Sequence, residues 1–249
     1  MVRPAAFVHF HGQPGGPGEW RACAPAGLDA FTPDRNAPAT PEAMAEMVAA
    51  HTPGPLTLIG FSLGAPVALA VAAQLSDRVT QLHLVSPAAP LALGDFLPHM
   101  AGGALFRLAR DQPALFRGLA RLQGGFARTA PRFLLNRLFA TASGDDRVLR
   151  HDPAFRTALA DMLRTSLGRS TAGFIAEVSA YAAGTPLAPG LVRAPIHIWQ
   201  GEDDSWTPPA MARALAASLP GASLTMLPGC GHYGTLRSAL ARIKAQSPA

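Results

Sequence analysis

Four short clusters carry residue types able to do chemistry on a carbonyl. Gly60-Phe61-Ser62-Leu63-Gly64 sets a serine between glycines, directly after the apolar run Leu56–Ile59 and before an Ala/Val/Leu-rich stretch reaching Ala70. A neutral hydroxyl is a weak nucleophile near pH 7 and needs a base beside it. His232, in Gly229-Cys230-Gly231-His232, is of the residue type most used as such a base. Asp203 and Asp204, in Gly201-Glu202-Asp203-Asp204, compete for the task of orienting the imidazole and stabilising its charged form. His11-Gly12-Gln13-Pro14-Gly15-Gly16 is a glycine-rich turn with little side chain over its backbone N–H groups, which suits them to receive negative charge.

The elements before each cluster decide whether they can meet. Ala6–Phe10 is an apolar run that reads as an interior parallel strand. Leu28–Thr32 reads as a weaker strand ending at Pro33-Asp34-Arg35. Pro41–His51 reads as a helix, with Thr40 as N-cap, proline at its first position and early carboxylates. Leu56–Ile59 is the strand into the serine turn. A serine on so sharp a turn sits in strained backbone, so Gly60 and Gly64 leave room around it and Ala65 lets the next helix lie close. Val79–Val85 is a strand ending at Ser86-Pro87, and Pro195–Gln200 another, ending at Gly201. A helix over Pro208–Leu219, a strand over Ser223–Leu227 and a C-terminal helix over about 234–245 complete the chain. Strands alternating with helices predict a parallel α/β sheet, whose active residues gather beyond the carboxyl ends of the strands. Ser62, Asp204, His232 and the His11–Gly16 turn all fall at predicted strand ends.

From Leu91 to Val192 the pattern changes to short helices: Leu105 and Leu108, then Leu115, Leu119 and Leu122, then Phe133, Leu134 and Leu138 recur at helical spacing. Breaks are expected at Pro113, Gly124-Gly125, Pro131, Ser143-Gly144 and Gly184-Thr185-Pro186. This segment holds 12 arginines and 7 carboxylates, while the remainder holds 9 basic and 9 acidic residues. The whole net charge of +5 therefore lies in the insert. Its arginines either form a solvated outer face or turn inward to bind a carboxylate or phosphate of a substrate. Phe106, Phe116, Phe126, Phe133 and Phe139 offer apolar lining for a pocket.

The composition excludes several classes. Of 249 residues, 49% are hydrophobic, enough to bury a large core. No apolar run reaches the roughly 18 residues of a membrane span, and Met1–Gly12 resembles neither a signal nor a transit peptide, so a cytoplasmic protein is expected. Cys23 and Cys230 make neither a disulfide framework nor a metal site, and no spacing of His, Cys or carboxylates implies a metal; no cofactor is expected. No nucleic-acid motif accompanies the basic charge. His9, His83 and His197 lie within strands and read as packed rather than catalytic, His11 as a structural part of its turn, and Cys230 as a small apolar group.

His-Gly-x-Pro-Gly after the first strand, Gly-x-Ser-x-Gly at the serine, Gly-x-x-Asp after a late strand and Gly-x-Gly-His near the end resemble the α/β-hydrolase superfamily in content and order, across nearly the full chain. The resemblance implies an α/β-hydrolase fold, a mostly parallel central sheet flanked by helices, with core segments 1–90 and 193–249 and a helical cap inserted over 91–192. It implies Ser62 as nucleophile, His232 as base and Asp204, three residues after Gly201, as the acid rather than Asp203. The oxyanion hole would be the backbone N–H groups of Gln13 and Leu63. The implied reaction is hydrolysis of an ester, thioester or lactone of a small molecule, acyl or anionic, through an acyl-enzyme. C–C bond hydrolysis or lyase chemistry on an anionic substrate with the same triad remains an alternative, as does a non-catalytic binding protein on this fold. The chain departs from the superfamily in beginning at the strand before the oxyanion turn and in the short segment after Arg35; a shortened sheet exposes an edge and leaves a homo-oligomer open.

Overall fold

The computed structural model describes residues 5–184 and 192–246. Among these residues five strands form one parallel sheet in sequential order: β1 (Ala6–Phe10), β2 (Leu56–Phe61), β3 (Val79–Val85), β4 (Ile196–Gly201) and β5 (Ser223–Leu227). Val8 lies opposite Leu58, Leu58 opposite Leu82, Leu82 opposite Ile196, and Ile198 opposite Leu224. Every residue of β2 is buried, as expected of a strand covered on both faces. The flanking helices are α1 (Gly18–Cys23), α2 (Pro41–His51), α3 (Gly64–Gln74), α10 (Pro209–Ser218) and α11 (His232–Gln246). The α2 helix opens as its sequence predicts, with Thr40 Oγ1 accepting the Ala43 N–H at 3.2 Å. Parallel strands place all their carboxyl ends on one rim, and that rim holds the four clusters.

Among the described residues, six α-helices stand between β3 and β4: α4 (Gly103–Asp111), α5 (Pro113–Thr129), α6 (Pro131–Leu138), α7 (Asp146–Leu149), α8 (Pro153–Thr165) and α9 (Ala172–Ala182). Pro113 and Pro131 open helices, since a proline N–H is not needed there. Gly124-Gly125 does not break α5 as expected. A Cβ on Gly124 would lie 2.5 Å from Thr171 Cγ2, so this glycine serves a close helix contact instead of a turn. Gly184 lies in the turn after α9, and the expected break at Thr185-Pro186 falls outside the described residues. No helix among the described residues is long and apolar enough to cross a membrane.

Two further differences from the sequence reading are local. The strand expected over Leu28–Thr32 shrinks to a single bridge of Phe31 with Val8. Phe31 exchanges two bonds with β1, from its N–H to Phe7 O and from the His9 N–H to Phe31 O, both 2.9 Å. The next ladder bond on that side would need an N–H at Pro33, which has none. Conversely α1, six residues long, forms between Gly16 and Leu28, a stretch to which the sequence reading assigns no element.

Candidate active site

Ser62 follows β2 at φ 54°, a left-handed conformation costly for any residue with a Cβ. A Cβ on Gly60 would lie 2.7 Å from Ala65 Cα, and one on Gly64 2.7 Å from His11 O, so neither neighbour admits a side chain. The turn is held from both sides by the Ser62 N–H bonded to Val85 O at 3.0 Å and the Ala88 N–H bonded to Ser62 O at 3.2 Å. Leu63 then caps α3, so the serine sits at the positive end of that helix.

Asp204 and His232 meet across the rim: His232 Nδ1 lies 2.8 Å from Asp204 Oδ2, and both side chains are buried. Asp203, the competing carboxylate, is exposed. Asp204 Oδ1 accepts the N–H groups of Trp206 and Thr207 at 2.9 and 3.0 Å, which fixes the carboxylate plane and leaves Oδ2 for the imidazole and the Thr207 hydroxyl. Burial works to raise the Asp204 pKa, but His232 and these hydrogen bonds outweigh it and hold the carboxyl below its ordinary value. The imidazole is boxed by rings, with the Phe61 centroid at 4.5 Å and Trp206 stacked at 5.0 Å. Phe61 is the residue directly before Ser62. Among the described residues the Ser62 hydroxyl makes no hydrogen bond. The structure therefore assembles the Asp–His pair against Phe61, the residue before the serine, while leaving the serine hydroxyl unengaged.

The glycine-rich turn after β1 is fixed by groups the sequence reading did not single out. Glu19, on α1 and fully buried, accepts the Gly12 N–H at 3.0 Å, faces His9 Nε2 at 3.1 Å and receives the Tyr233 hydroxyl at 3.5 Å. It thereby ties the turn carrying Gln13 to the residue after His232. Arg35, also fully buried, donates to the carbonyls of both His11 and Leu63, bracing the segments that hold the Gln13 and Leu63 N–H groups. Its remaining charge is met by Glu177 of α9, with Nε 3.0 Å from Oε1 and a second bond from Nη2 to Oε2. His11 has the structural part expected of it. Its Nδ1–H donates to Gly12 O at 2.7 Å and its Nε2 accepts the Arg35 N–H at 3.3 Å, a single neutral tautomer. Burial and the Arg35 charge push its pKa well down, so it stays neutral. His83 is likewise packed: its Nδ1 accepts the Trp199 indole N–H at 3.3 Å. Cys23 and Cys230 are both free thiols.

The charged groups by which the insert meets the core are carboxylates. Asp145 and Asp146, at the start of α7, bond the backbone around His232, and Glu177 bonds Arg35. Its arginines behave differently, as none of the 12 is buried and only Arg150 and Arg156 are even half-covered. The solvated face is the outcome. Of the five phenylalanines expected to line a pocket, Phe106 and Phe116 pack into the insert, and Phe126 and Phe133 are exposed, 5.2 Å apart. Phe139 alone of the five reaches the site, packing on Trp206 and Tyr233 at 5.6 and 5.5 Å. Phe139 also lines a cavity of about 430 Å³ with Asn136, Arg150, His151 and Arg156.

Signals for the missed residues were faint. A lone Glu19 in a Gly/Pro turn, and Asp145-Asp146 in an arginine-rich segment, are the only hints, because their partners are backbone N–H groups far away in sequence.

The sequence profile described as the alpha/beta hydrolase fold matches residues 10–237. A pimeloyl-[acyl-carrier protein] methyl ester esterase of Aromatoleum aromaticum is 30% identical over 255 residues, spanning 93% of this chain and 92% of that protein. One of the same name from Chromobacterium violaceum is 29% identical over 191 residues, 77% of this chain and 68% of that protein. Among solved structures, a thermophilic esterase from Thermogutta terrifontis superposes with a TM-score of 0.66 at 21% identity, covering 98% of this chain and 89% of that one.

Proposed function

The chain belongs to the alpha/beta hydrolase fold family and is an esterase-like hydrolase; on that premise we propose that it cleaves a carboxylic ester through an acyl-enzyme, with Ser62, His232 and Asp204 as its triad. The observation that carries this reading is the buried 2.8 Å bond between His232 Nδ1 and Asp204 Oδ2, the imidazole packed on Phe61, the residue before a serine held at positive φ. Ser62 Oγ attacks the ester carbonyl carbon as its proton passes to His232 Nε2. Asp204 keeps the Nδ1–H in place and stabilises the imidazolium, against which the Trp206 face lies. The carbonyl oxygen becomes an oxyanion facing the N–H groups of Gln13 and Leu63. His232 then protonates the departing alkoxide, and a water molecule, deprotonated by the same imidazole, releases the acid and restores Ser62.

The relatives' printed name joins an acyl chain to a methyl ester, and an acyl ester with a small alcohol leaving group is accordingly the proposed substrate class. The helices between β3 and β4 act as a cap over the rim, with Phe139, Trp206 and Tyr233 as their point of contact around His232. A fluorophosphonate probe should label the protein, and Ser62→Ala should abolish both labelling and hydrolysis of p-nitrophenyl esters, by at least about a thousandfold. Undiminished labelling of Ser62→Ala, or full activity in Asp204→Asn, would overturn the triad.

A further inference from the structure

The helix that presents His232 has no side chain of its own to cap it. His232 is the first residue of α11, so the position before it, where Ser, Thr, Asp or Asn usually accepts the N–H groups of the first turn, is Gly231. The missing acceptor comes from 86 residues earlier. Asp146 Oδ2 accepts the Tyr233 N–H at 3.1 Å and Asp146 Oδ1 the Gly234 N–H at 2.9 Å, while Asp145 Oδ1 accepts the Gly231 N–H at 2.8 Å. The Asp145 N–H in turn donates to Gly229 O at 2.9 Å. A Cβ on Gly231 would lie 2.7 Å from Asp146 Cγ, and one on Gly234 would fall onto the Asp145 carboxylate, so the glycines exist to admit these two acids.

From this geometry we infer that Asp145 and Asp146 are positioning residues for the reaction: the insert supplies, in trans across the fold, the N-cap that sets where the His232 imidazole stands. The inference rests on the Ser62–His232–Asp204 reading and goes beyond it, because it assigns to the insert a part in general-base catalysis rather than in covering the site. Asp146 is 2% exposed and spends both oxygens on the two N–H groups next to His232. Losing them frees the first turn of α11 to rotate, and with it the Nε2 atom that must face Ser62. Burial pushes the Asp146 pKa up to about 6, against the pull of the Gly234 N–H and of His232. The carboxylate is held there at a cost that a simple surface cap would not incur.

The test compares two cap removals. Asp146→Asn keeps one acceptor oxygen and loses the other; Asp152→Ala removes the N-cap of α8, which accepts the Ala154 and Phe155 N–H groups at 2.8 and 3.1 Å wholly within the insert. With p-nitrophenyl acetate well below the melting temperature, Asp146→Asn is expected to lower kcat by at least about tenfold with KM within about twofold, since small misplacement of a catalytic group is that costly. Fluorophosphonate labelling of Ser62 should slow in parallel, while Asp152→Ala lowers Tm and leaves kcat unchanged. Should Asp146→Asn fail to fold, Asp145→Ala, which loses only the Gly231 bond, is expected to lower kcat with KM held. The inference is overturned if kcat in these variants stays at the wild-type value, or if Asp152→Ala loses kcat as they do. Failure of the triad itself reads differently: the wild type would then not label at Ser62, or Asp204→Asn would stay active.

Discussion

The sheet core and the inserted helices use charge in opposite ways. In the core, the buried ionisable groups Arg35, Glu19 and Asp204 near the rim are each matched: Arg35 to two carbonyls and Glu177, Glu19 to Gly12, His9 and Tyr233, Asp204 to His232. In the insert, the arginines stay in solvent, and the groups that turn inward are three carboxylates, Asp145, Asp146 and Glu177. Every one of them finds a donor belonging to the core. The insert's net positive charge is thus a property of its outside, whereas the charged groups it turns toward the core are anionic. A burial penalty explains the division, since a carboxylate can be repaid by fixed backbone N–H groups or one guanidinium, while a dozen arginines would need as many acceptors.

The contrast can be broken first at Arg35. Arg35→Met strands Glu177 and leaves the His11 and Leu63 carbonyls without their donor, at an expected cost of roughly 3–5 kcal/mol in urea unfolding. Adding Glu177→Leu should return part of that loss. If the double variant is no more stable than the single one, the pair does not join the insert to the core.

A smaller effect separates the two regions by pH. Burial and the neighbouring His197 push the His83 pKa down to about 4 from an ordinary 6.5, so the folded protein disfavours the proton more than the unfolded chain does. The stability this group contributes is complete above pH 6.5 and lost as pH falls toward 4, about 3 kcal/mol by that point. Protonation also removes the Nδ1 acceptor of the Trp199 indole. Acid unfolding of His83→Gln should accordingly be flatter between pH 6.5 and 4 than that of the wild type, and parallel curves would place the acid sensitivity elsewhere.

The smallest effect belongs to the insert's surface. Arg117→Glu and Arg121→Glu on α5, both exposed, should change stability by less than about 0.5 kcal/mol and leave kcat/KM for neutral and anionic esters in the same ratio. A selective loss with anionic esters would return these arginines to substrate binding.

Much of the fold was legible because its signals are local. Ala6–Phe10, Pro41–His51, Val79–Val85 and Ser223–Leu227 form at the bounds expected of them, since apolar runs, a Thr-Pro helix start and turn residues all act over a few positions. The turn at Ser62 could be read as well, because its positive φ needs glycines on either side, as could the glycine at the end of β4. What escaped is non-local. The α1 helix forms because Glu19 and Trp20 are drawn inward, Trp20 donating to Leu28 O at 3.0 Å, and neither partner is near enough in sequence to announce it. Asp146 looked like one more polar residue among arginines for the same reason. Gly124-Gly125 misled in the other direction: glycine marks either a turn or a tight approach, and only the neighbouring Thr171 distinguishes them.

The borrowed cap on α11 limits how this protein can be recombined. An exchange of residues 103–182 for the helices of a related enzyme would carry off Asp145 and Asp146 and leave Gly231 and Gly234 facing a gap. Grafts that preserve those two acids, or that restore a serine or aspartate at 231, would keep acceptors on the first turn of α11; others would leave its N–H groups unmet.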